Sequence, residues 1–353
     1  MNSHIKSVGV YHPQISKQNE DFEKVTFLQA NGSGFEKSSK EIVETFSKIT
    51  EIRARTIAKD EVTSSEMGYH AALDAIQKGN IDKETIDYII FAHNGGDMSN
   101  QHNFYDMIPN LAARVKGKLG IMNPDCVGYD ILFGCPGWLE AVKQGHLFIK
   151  AGGAKRVLVI GADTISRVAD SCDIDSMLFS DGAGAIILEE TTGINGVLSH
   201  KTTSHCQEEL GFLKMGPSYN KELADTGFYL KMDGKKVFRH AMENMPKVIN
   251  ACLEEAGLEI GDVQYFLMHQ ANAKMIKLIG KKLFETHGIK EYDEELMPIN
   301  VATMGNNSVA TIPTLLSELS TKKLNDRGIV AGDVVVFASV GAGMHTNCMI
   351  HRF

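Results

Sequence analysis

The sequence contains no apolar run of about 18 residues, the length that a membrane-spanning helix needs. Its six cysteines are dispersed, with no CxxC pair and no Cys/His cluster at metal spacing. We therefore expect neither a disulfide framework nor a metal site. The first residues show no basic region followed by an apolar run, so they do not predict a secretory signal. Together these absences favour the reducing cytoplasm as the location.

Basic residues are also in short supply, because 36 Lys and Arg stand against 44 Asp and Glu and give a net charge of −8. A surface that binds nucleic acid is generally basic, so the composition argues against a nucleic-acid partner. Apolar residues make up 43% of the chain and charged residues 23%, the usual proportions of a globular protein. At 353 residues the chain is long enough for two domains, or for one unit made of two halves.

Short apolar segments alternate with amphipathic ones along the chain. IDYIIFAHN and KRVLVIGAD are almost wholly apolar, as expected for strands buried on both faces. SSEMGYHAALDAIQKG and MPKVINACLEEAGL have the pattern of amphipathic helices. The alternation predicts an α/β fold of layered sheets and helices. A strand, a reactive turn, a helix and a glycine-rich strand end occur twice, which predicts an internal duplication with halves at 1–190 and 191–353.

The segment YDILFGCPGW, residues 129–138, places Cys135 between a buried strand and the start of a helix. Pro136 suits the first helical position. The unpaired amides and the positive dipole end of a helix start favour the thiolate, which is the nucleophilic form of cysteine. A free cysteine is more often a buried structural residue. This context by itself leaves both interpretations open.

Three further turns follow predicted strands in the second half. His269 ends the apolar strand QYFLM, two asparagines lie between Gly305 and Ser308, and SVGAGMH is a glycine-rich turn. Each also has an ordinary structural explanation, such as a core histidine or an Asn-Gly turn. Open α/β sheets place their sites at strand ends. We therefore predict one site where a cysteine attacks a thioester, histidine and asparagine donate hydrogen bonds to a second carbonyl, and backbone amides hold an oxyanion.

The order FGCPGW, HQANAKM, GNNSVATIP resembles that of β-ketoacyl-acyl-carrier-protein synthase III, a family with the thiolase fold. TEIRARTIA, LFSDGAGAIILE and MDGKKVF extend the resemblance over nearly the whole chain. It implies a thiolase-like α/β fold of two duplicated halves in a layered α-β-α-β-α arrangement. It makes Cys135 the acylated nucleophile of the first half. His269 and Asn306 of the second half would stabilise an enolate, and the amides of Cys135 and Ala342 would form an oxyanion hole.

The activity that the resemblance implies is a decarboxylating or Claisen-type condensation. An acyl group moves to Cys135, and a malonyl- or β-ketoacyl-carrier thioester then reacts with it, in fatty acid or specialised lipid and polyketide biosynthesis. The expected partner is acyl carrier protein, the expected assembly is a homodimer, and no cofactor is expected. The condensing enzymes of dialkylresorcinol pathways, which join two carrier-bound chains, are a similar subgroup.

Three other kinds of protein share this fold, and the sequence lacks a feature expected of each. A degradative thiolase needs a second cysteine in the C-terminal glycine-rich loop, whereas the nearest one here is Cys348 in the last predicted strand. A type III polyketide synthase has a Gly-Pro-Gly loop that is absent here. A non-catalytic protein that only binds acyl carriers would be expected to lose one of the three reactive residues, and all three are present.

Several positions depart from the family pattern. Thr45 and Asp173 align with the Trp and Arg that hold the adenine of coenzyme A in bacterial members, and an insertion lies near residues 25–40. We therefore expect carrier-bound acyl donors. The acyl-pocket gate aligns with Ile108, which is smaller than the usual Phe and predicts longer acyl chains. Lysines at helical spacing predict a docking face for the carrier. This face comprises Lys274, Lys277, Lys281 and Lys282, with an extension to Lys235, Lys236 and Arg239.

Overall fold

The computed structural model describes residues 1–99, 102–223, 227–321, 324 and 328–353. The strands are β1 (Asn2–Tyr11), β2 (Ile15–Gln18), β3 (Ala54–Ile57), β4 (Tyr88–Ala92), β5 (Asp97–Ser99), β6 (His102–Asp106), β7 (Val127–Ile131), β8 (Arg156–Thr164), β9 (Asp181–Thr191), β10 (Gly196–Ser204), β11 (Leu213–Gly216), β12 (Tyr229–Met232), β13 (Tyr265–Met268), β14 (Val334–Gly341) and β15 (His345–Arg352). The helices are α1 (Ser39–Thr50), α2 (Ser64–Gly79), α3 (Leu111–Leu119), α4 (Gly137–Lys150), α5 (Gly234–Ala256), α6 (Ala273–Thr286), α7 (Val301–Met304) and α8 (Thr311–Ser320).

Local signals fix the ends of several helices. The hydroxyl of Thr63 accepts the Glu66 amide at the start of α2, and α2 ends at Gly79, so the bounds predicted for this helix are confirmed. α5 begins at Gly234 rather than at the predicted Met245. The start is earlier because the carboxylate of Asp233 accepts an amide of the first turn.

The two main sheets repeat one order of strand pairing. In the five-stranded order β1-β9-β8-β4-β7, β9 pairs antiparallel with β1 and β8, and β4 runs parallel to β8 and β7. In the four-stranded order β10-β15-β14-β13, two antiparallel pairings are again followed by a parallel one. This repetition agrees with an internal duplication, while the boundary at 190/191 stays a prediction.

Apolar side chains divide the molecule into layers. Trp138 of α4 and Leu315 of α8 share a buried cluster with Val159 of the first sheet and Phe337 of the second, so these helices lie between the sheets. α2 and α3 pack on the other face of the first sheet, and α5 and α6 pack on the other face of the second. The predicted layered α-β-α-β-α arrangement is confirmed. Within the described ranges, no helix is both long enough and apolar enough to cross a membrane.

The insertion near residues 25–40 forms an irregular segment that leads into α1. Its Phe27 is buried in a separate apolar cluster with Ile42 and Phe46 of α1. That cluster also contains Phe179, which forms an isolated β-bridge with Asn306, and Ala273, which lies four positions after His269. The insertion therefore holds α1 against the elements that carry the site.

Candidate active site

A cavity of ≈ 1300 Å³ opens at the junction of the two halves. Cys135, His269 and Asn306 all line it, so the structure brings the three predicted reactive residues together. Much of the remaining wall is apolar and comes from the insertion, α1 and α5. The apolar wall residues include Phe35, Ile42, Phe46, Ile49, Phe238 and Met242. Such a wall can contact a long acyl chain or a pantetheine arm.

Cys135 lies in a tight turn between β7 and α4. Gly134 has a φ of 65°, a conformation that favours glycine, and Pro136 is the N-cap of α4 rather than its first residue. The glycine-rich turn after β14 packs directly on this turn. A Cβ at Gly341 would lie only 2.8 Å from the amide nitrogen of Cys135. The close approach of the two backbones therefore requires glycine at position 341.

The surroundings of Cys135 do not favour its thiolate in the resting protein. Burial raises the pKa of the thiol to about 11, and the nearby carboxylate of Asp163 adds to the increase. The Ser308 hydroxyl, which donates to Sγ over 3.5 Å, acts in the opposite direction. The expectation that the helix start would stabilise the thiolate is wrong here, because the loss of water has the larger effect.

His269 follows β13 and is held from both its backbone and its ring. Its amide donates to the carbonyl of Ala338 over 2.8 Å, and its Nδ1 lies 2.8 Å from Oγ1 of Thr311. Burial lowers the pKa of the imidazole to about 4, so the ring is neutral at physiological pH. The Thr311 hydroxyl also lies 3.0 Å from the Ser308 carbonyl. When the Thr311 hydroxyl donates its single proton to Nδ1, the imidazole of His269 carries its own hydrogen on Nε2.

Asn306 is oriented by bonds on both sides. Its amide donates to the Leu178 carbonyl over 2.9 Å, and its own carbonyl accepts the Ser180 amide over 3.0 Å. Its side-chain Oδ1 accepts the amide of Ser308 over 3.0 Å. This last bond fixes which end of the side-chain amide is the acceptor. The Nδ2 hydrogens are thereby left to a ligand in the cavity that Asn306 lines.

The turn that contains Ala342 lies against the Cys135 turn. A Cβ at Gly134 would lie 3.0 Å from the amide nitrogen of Ala342. The two backbones thus approach on the side of the nucleophile, as an oxyanion hole made of two amides requires. The use of the Cys135 and Ala342 amides in this way stays a prediction.

The predicted docking lysines divide into two groups. Lys274 and Lys282 line the cavity, together with Lys235 and Arg239 of α5. Lys277 is bound to Glu51, with Nζ 2.8 Å from Oε1. Two others are within ion-pair distance of acidic neighbours on their own helix or its cap, Lys281 of Glu285 at 3.9 Å and Lys236 of Asp233 at 3.4 Å. A basic rim therefore exists at the cavity, but it is centred on α5 and the start of α6.

Of the predicted specificity residues Thr45, Ile108 and Asp173, only the first lines the cavity. Thr45 lines the cavity, whereas Ile108 is 89% exposed and lies outside it in a single chain. Asp173 does not face a ligand as expected, because its carboxylate is buried and accepts a bond of 3.1 Å from Lys231. Asp175 lines the cavity instead, and burial together with Asp173 raises the pKa of its carboxyl to about 7.

Two residues that contact the reactive groups are not among the predicted site residues. Ser308 contacts Cys135, and Thr311 contacts His269. Both lie in the segment GNNSVATIP, which the sequence predicts to be part of the site. Their roles depend on contacts with residues more than 40 positions away, which local sequence does not reveal.

The fold and the site together define a condensing enzyme of the thiolase fold. Residues 129–205 match the family model of 3-oxoacyl-[acyl-carrier-protein] synthase III, and residues 253–353 match the model of its C-terminal part. The β-ketoacyl-[acyl-carrier-protein] synthases III of Brucella anthropi and Porphyra purpurea are each 32% identical to the chain, with 100% of both chains covered.

A solved structure agrees with these matches. The crystal structure of 3-oxoacyl-[acyl-carrier-protein] synthase III from Aquifex aeolicus has a TM-score of 0.80 and 28% identity, covering 99% of this chain and 100% of that one. The chain therefore belongs to the β-ketoacyl-[acyl-carrier-protein] synthase III family. It is an acyltransferase that carries out a Claisen-type condensation, and the predicted thiolase-like fold is confirmed.

Proposed function

We propose that this enzyme takes an acyl group from acyl carrier protein onto Cys135 and condenses it with a malonyl- or β-ketoacyl-carrier thioester. The observation that carries the proposal is the presence of Cys135, His269 and Asn306 on the wall of one cavity. The apolar part of that wall suits an acyl chain. The neutral imidazole and the oriented amide suit a carbonyl that becomes negatively charged.

In the first half-reaction Cys135 attacks the acyl thioester. The carbonyl oxygen becomes an oxyanion, which the amides of Cys135 and Ala342 stabilise. Collapse of the tetrahedral intermediate releases the carrier thiol and leaves a thioester on Cys135. Because the thiol has a pKa of about 11, its proton must be removed as the bond to carbon forms.

In the second half-reaction the carbonyl of the incoming thioester accepts hydrogen bonds from Nε2 of His269 and Nδ2 of Asn306. In the resting protein the Thr311 hydroxyl donates to the Ser308 carbonyl over 3.0 Å. The donor role of Nε2 requires that this hydrogen turn to Nδ1, which lies 2.8 Å from the same hydroxyl. Loss of carbon dioxide from a malonyl group, or transfer of a proton from a β-ketoacyl group to water, then gives an enolate that these donors stabilise. Its carbon attacks the acyl-Cys135 carbonyl and the Cys135 thiolate leaves.

Acylation of Cys135 is the most direct test. We expect the intact mass of the protein to rise by one acyl group after incubation with an acyl-carrier thioester. The increase should disappear in Cys135→Ala and persist in Cys206→Ala, since Cys206 is an exposed free cysteine of the same chain. An acyl adduct that persists in Cys135→Ala would contradict the proposal.

The carrier protein is proposed to dock on the basic rim of the cavity. Lys274→Glu should raise KM for carrier substrates, and its KM should depend less on salt, because a rim charge steers an acidic partner. Lys290→Glu makes the same change of charge on an exposed lysine outside the cavity wall and serves as the control. Lys277 is unsuitable, because a glutamate there would face Glu51. Equal KM values for the two variants would contradict docking on this rim.

The acyl donor is proposed to be carrier-bound rather than bound to coenzyme A. Thr45 offers no ring to stack on adenine, and the Asp175 carboxyl in the cavity offers no positive charge to phosphates. A comparison of kcat/KM for one acyl group on the two carriers tests this, and equal values would contradict it. Product mass after the acylated enzyme reacts with a malonyl- or a β-ketoacyl-carrier thioester decides between these two partners, and with them the resemblance to the dialkylresorcinol subgroup.

A homodimer is proposed because the first sheet ends in an unpaired strand. In the described part of the chain β7 pairs only with β4, and Val127 and Leu132 at its ends are 48% and 57% exposed. An open strand edge with apolar ends favours pairing with a second copy. Such pairing would give Ile108 of one copy a route to the acyl pocket of the other. Sedimentation velocity tests the dimer, and a monomer would contradict it.

Degradative thiolysis is the less favoured reaction. Cys348 is 2% exposed in β15, inside the cluster that also buries Cys252. It is not on the cavity wall that Cys135 lines. A cytoplasmic location is also proposed, with support from the six cysteines, which are all free.

A further inference from the structure

A chain of polar side chains leads from the Cys135 thiol into the interior of the first half. Sγ of Cys135 lies 3.5 Å from Oγ of Ser308. Nδ2 of Asn94 donates to Oγ of Ser308 over 2.8 Å and to Oδ2 of Asp163 over 2.7 Å. The Asn94 amide donates to Oδ1 of Asp163 over 2.7 Å, and the Ser308 hydroxyl lies within reach of the same carboxylate.

The bonds from Asn94 set the direction of the remaining ones. Asn94 supplies both Nδ2 hydrogens, so Ser308 Oγ accepts one of them and keeps its own proton to donate. A hydroxyl oxygen has two acceptor lone pairs. In the resting protein Ser308 donates its proton to Sγ of Cys135 over 3.5 Å. When this proton turns to Asp163, Ser308 can accept both from Asn94 and from the thiol of Cys135. This arrangement provides a continuous path for a proton from sulfur to carboxylate.

The end of the path is a buried base. Asp163, near the end of β8, is 3% exposed, and burial raises the pKa of its carboxyl. The titratable groups that face it are Cys135 and His93, and the ring of His93 is itself bonded to Asp130 over 3.1 Å. A carboxylate without a paired cation in a dry site is more basic than an exposed one.

Ser308 is held in an unusual conformation. Its φ is 55°, which is uncommon for a residue with a side chain and costs about 1–2 kcal/mol. The adjoining bonds hold this backbone in place, since the Ser308 amide donates to Asn306 and its carbonyl accepts from Thr311. Strain of this kind is retained where a side chain must point in one direction. Here that direction is towards Cys135.

We propose that Ser308 relays the proton of Cys135 to Asp163 during acylation, an inference that rests on the proposed function of the site. As the Sγ–carbon bond forms, the S–H bond breaks and its proton passes to Oγ of Ser308. The hydroxyl proton of Ser308 passes at the same time to the carboxylate of Asp163. When the intermediate collapses, the two protons return by the same path and one is taken by the departing carrier thiolate. The enzyme is left acylated and otherwise unchanged.

His269, another base on the cavity wall, is less suited to this step. His269 is bonded through Nδ1 to Thr311, and its pKa of about 4 makes the imidazole a weak base. Ser308 touches the reacting sulfur and is therefore a catalytic residue of acylation. Asp163 acts through Ser308 and is a positioning residue and proton acceptor.

The test compares the pH profile of Cys135 reactivity in the wild type and three variants. Ser308→Gly removes the hydroxyl without strain, because glycine adopts a positive φ freely. Asp163→Asn keeps the shape of the carboxyl and removes its basicity. Ser339→Ala, which removes a buried hydroxyl with no hydrogen-bond partner, is the matched control. Reactivity is measured both as single-turnover acylation and as alkylation by iodoacetamide, with circular dichroism to show that each protein is folded.

We expect acylation at neutral pH to fall on the order of 10²-fold in Ser308→Gly and Asp163→Asn, the usual contribution of a general base. In the wild type both rates should reach a plateau once Asp163 is ionised. In the two variants they should instead rise with hydroxide up to the pKa of the thiol, about 11. The Ser339→Ala profile should match the wild type.

A uniform fall in rate with an unchanged pH profile would mean a structural role and would overturn the relay. Rates within about threefold of the wild type would overturn it as well, since a general base contributes far more than that. Alkylation does not require the acyl carrier. A failure of the relay can therefore be distinguished from a failure of the proposed function, in which the wild type itself would be alkylated but not acylated.

Discussion

Replacing His269 or Asn306 by alanine should leave acylation of Cys135 intact and slow condensation by about 10²–10³-fold, the usual loss for one donor to a developing oxyanion. Both side chains line the cavity beside Cys135, but the hydrogen bond that the thiol receives comes from Ser308. Neither variant removes a group that contacts the thiol. Asn306→Ala also removes the acceptor of the Ser308 amide, so any loss in acylation should be confined to that variant. Mass spectrometry of the acyl-enzyme and product formation from pre-acylated enzyme measure the two halves separately.

Thr311→Val is a finer test of the same half-reaction. Valine keeps the shape of threonine and removes the hydroxyl that lies 2.8 Å from Nδ1 of His269. We expect a smaller loss in condensation than in His269→Ala, because the imidazole stays and only the preference for the Nε2–H tautomer is weakened. A small loss in acylation is also expected, because the same hydroxyl bonds to the Ser308 carbonyl. Condensation at the wild-type rate in His269→Ala or Asn306→Ala would show that the roles are assigned wrongly.

The pH dependence of condensation follows from the buried imidazole. Because burial lowers the pKa of His269 to about 4, the ring stays neutral throughout the physiological range. Protonation of His269 should therefore not contribute to the pH profile of condensation between about pH 5 and 8, although an exposed histidine would titrate there. A fall in the rate from pre-acylated enzyme centred near pH 6.5 would contradict a neutral His269.

Features that depend on neighbours in sequence could be predicted, and those that depend on distant contacts could not. The bounds of α2 follow from a side-chain cap at Thr63 and from Asn80, which takes a left-handed conformation directly after Gly79. The position of Asp173 depends on Lys231, which reaches it across 58 positions of the sequence. The alignment that placed Asp173 in the cavity carries no information on that ion pair, and Asp175 takes its place.

Cys135 has one feature that could be predicted from neighbouring residues and one that could not. The turn before α4 is local and could be predicted from the glycines and the proline around Cys135. The protonation state of Cys135 is not local, because it depends on how much water the insertion, α5 and α6 exclude from the cavity. A helix start favours a thiolate only when solvent or a nearby cation offsets the cost of burial.

Acidification should destabilise the protein through histidines buried between the two sheets. His351 of β15 is 1% exposed, and burial lowers its pKa to about 3, with smaller contributions from His4 and His146. In the unfolded chain the same ring titrates near pH 6.5, so below that pH the unfolded state binds a proton that the folded state does not. Stability is therefore lost as the pH falls below about 6.5, at about 1.4 kcal/mol per pH unit for this one group.

Carboxyl groups with raised pKa values make the fold more stable as the pH falls, which opposes the effect of the histidines. The effect of one histidine is therefore measured by comparing the wild type with a variant of that residue. The carboxyl of Asp175 has a pKa of about 7 in the folded protein, and its protonation stabilises the fold as the pH falls.

His351→Gln removes only the titrating ring, because the amide oxygen of glutamine can accept the Ile5 amide that His351 Nε2 now accepts over 3.1 Å. We expect the free energy of unfolding of the wild type, relative to this variant, to fall by about 2 kcal/mol between pH 7 and pH 5. Urea unfolding at the two pH values measures the difference, and Asp175→Asn should give a difference of the opposite sign. A difference for His351→Gln that does not change with pH would mean that this histidine is protonated in the folded protein, and the buried face between β1 and β15 would then have to hold a charge.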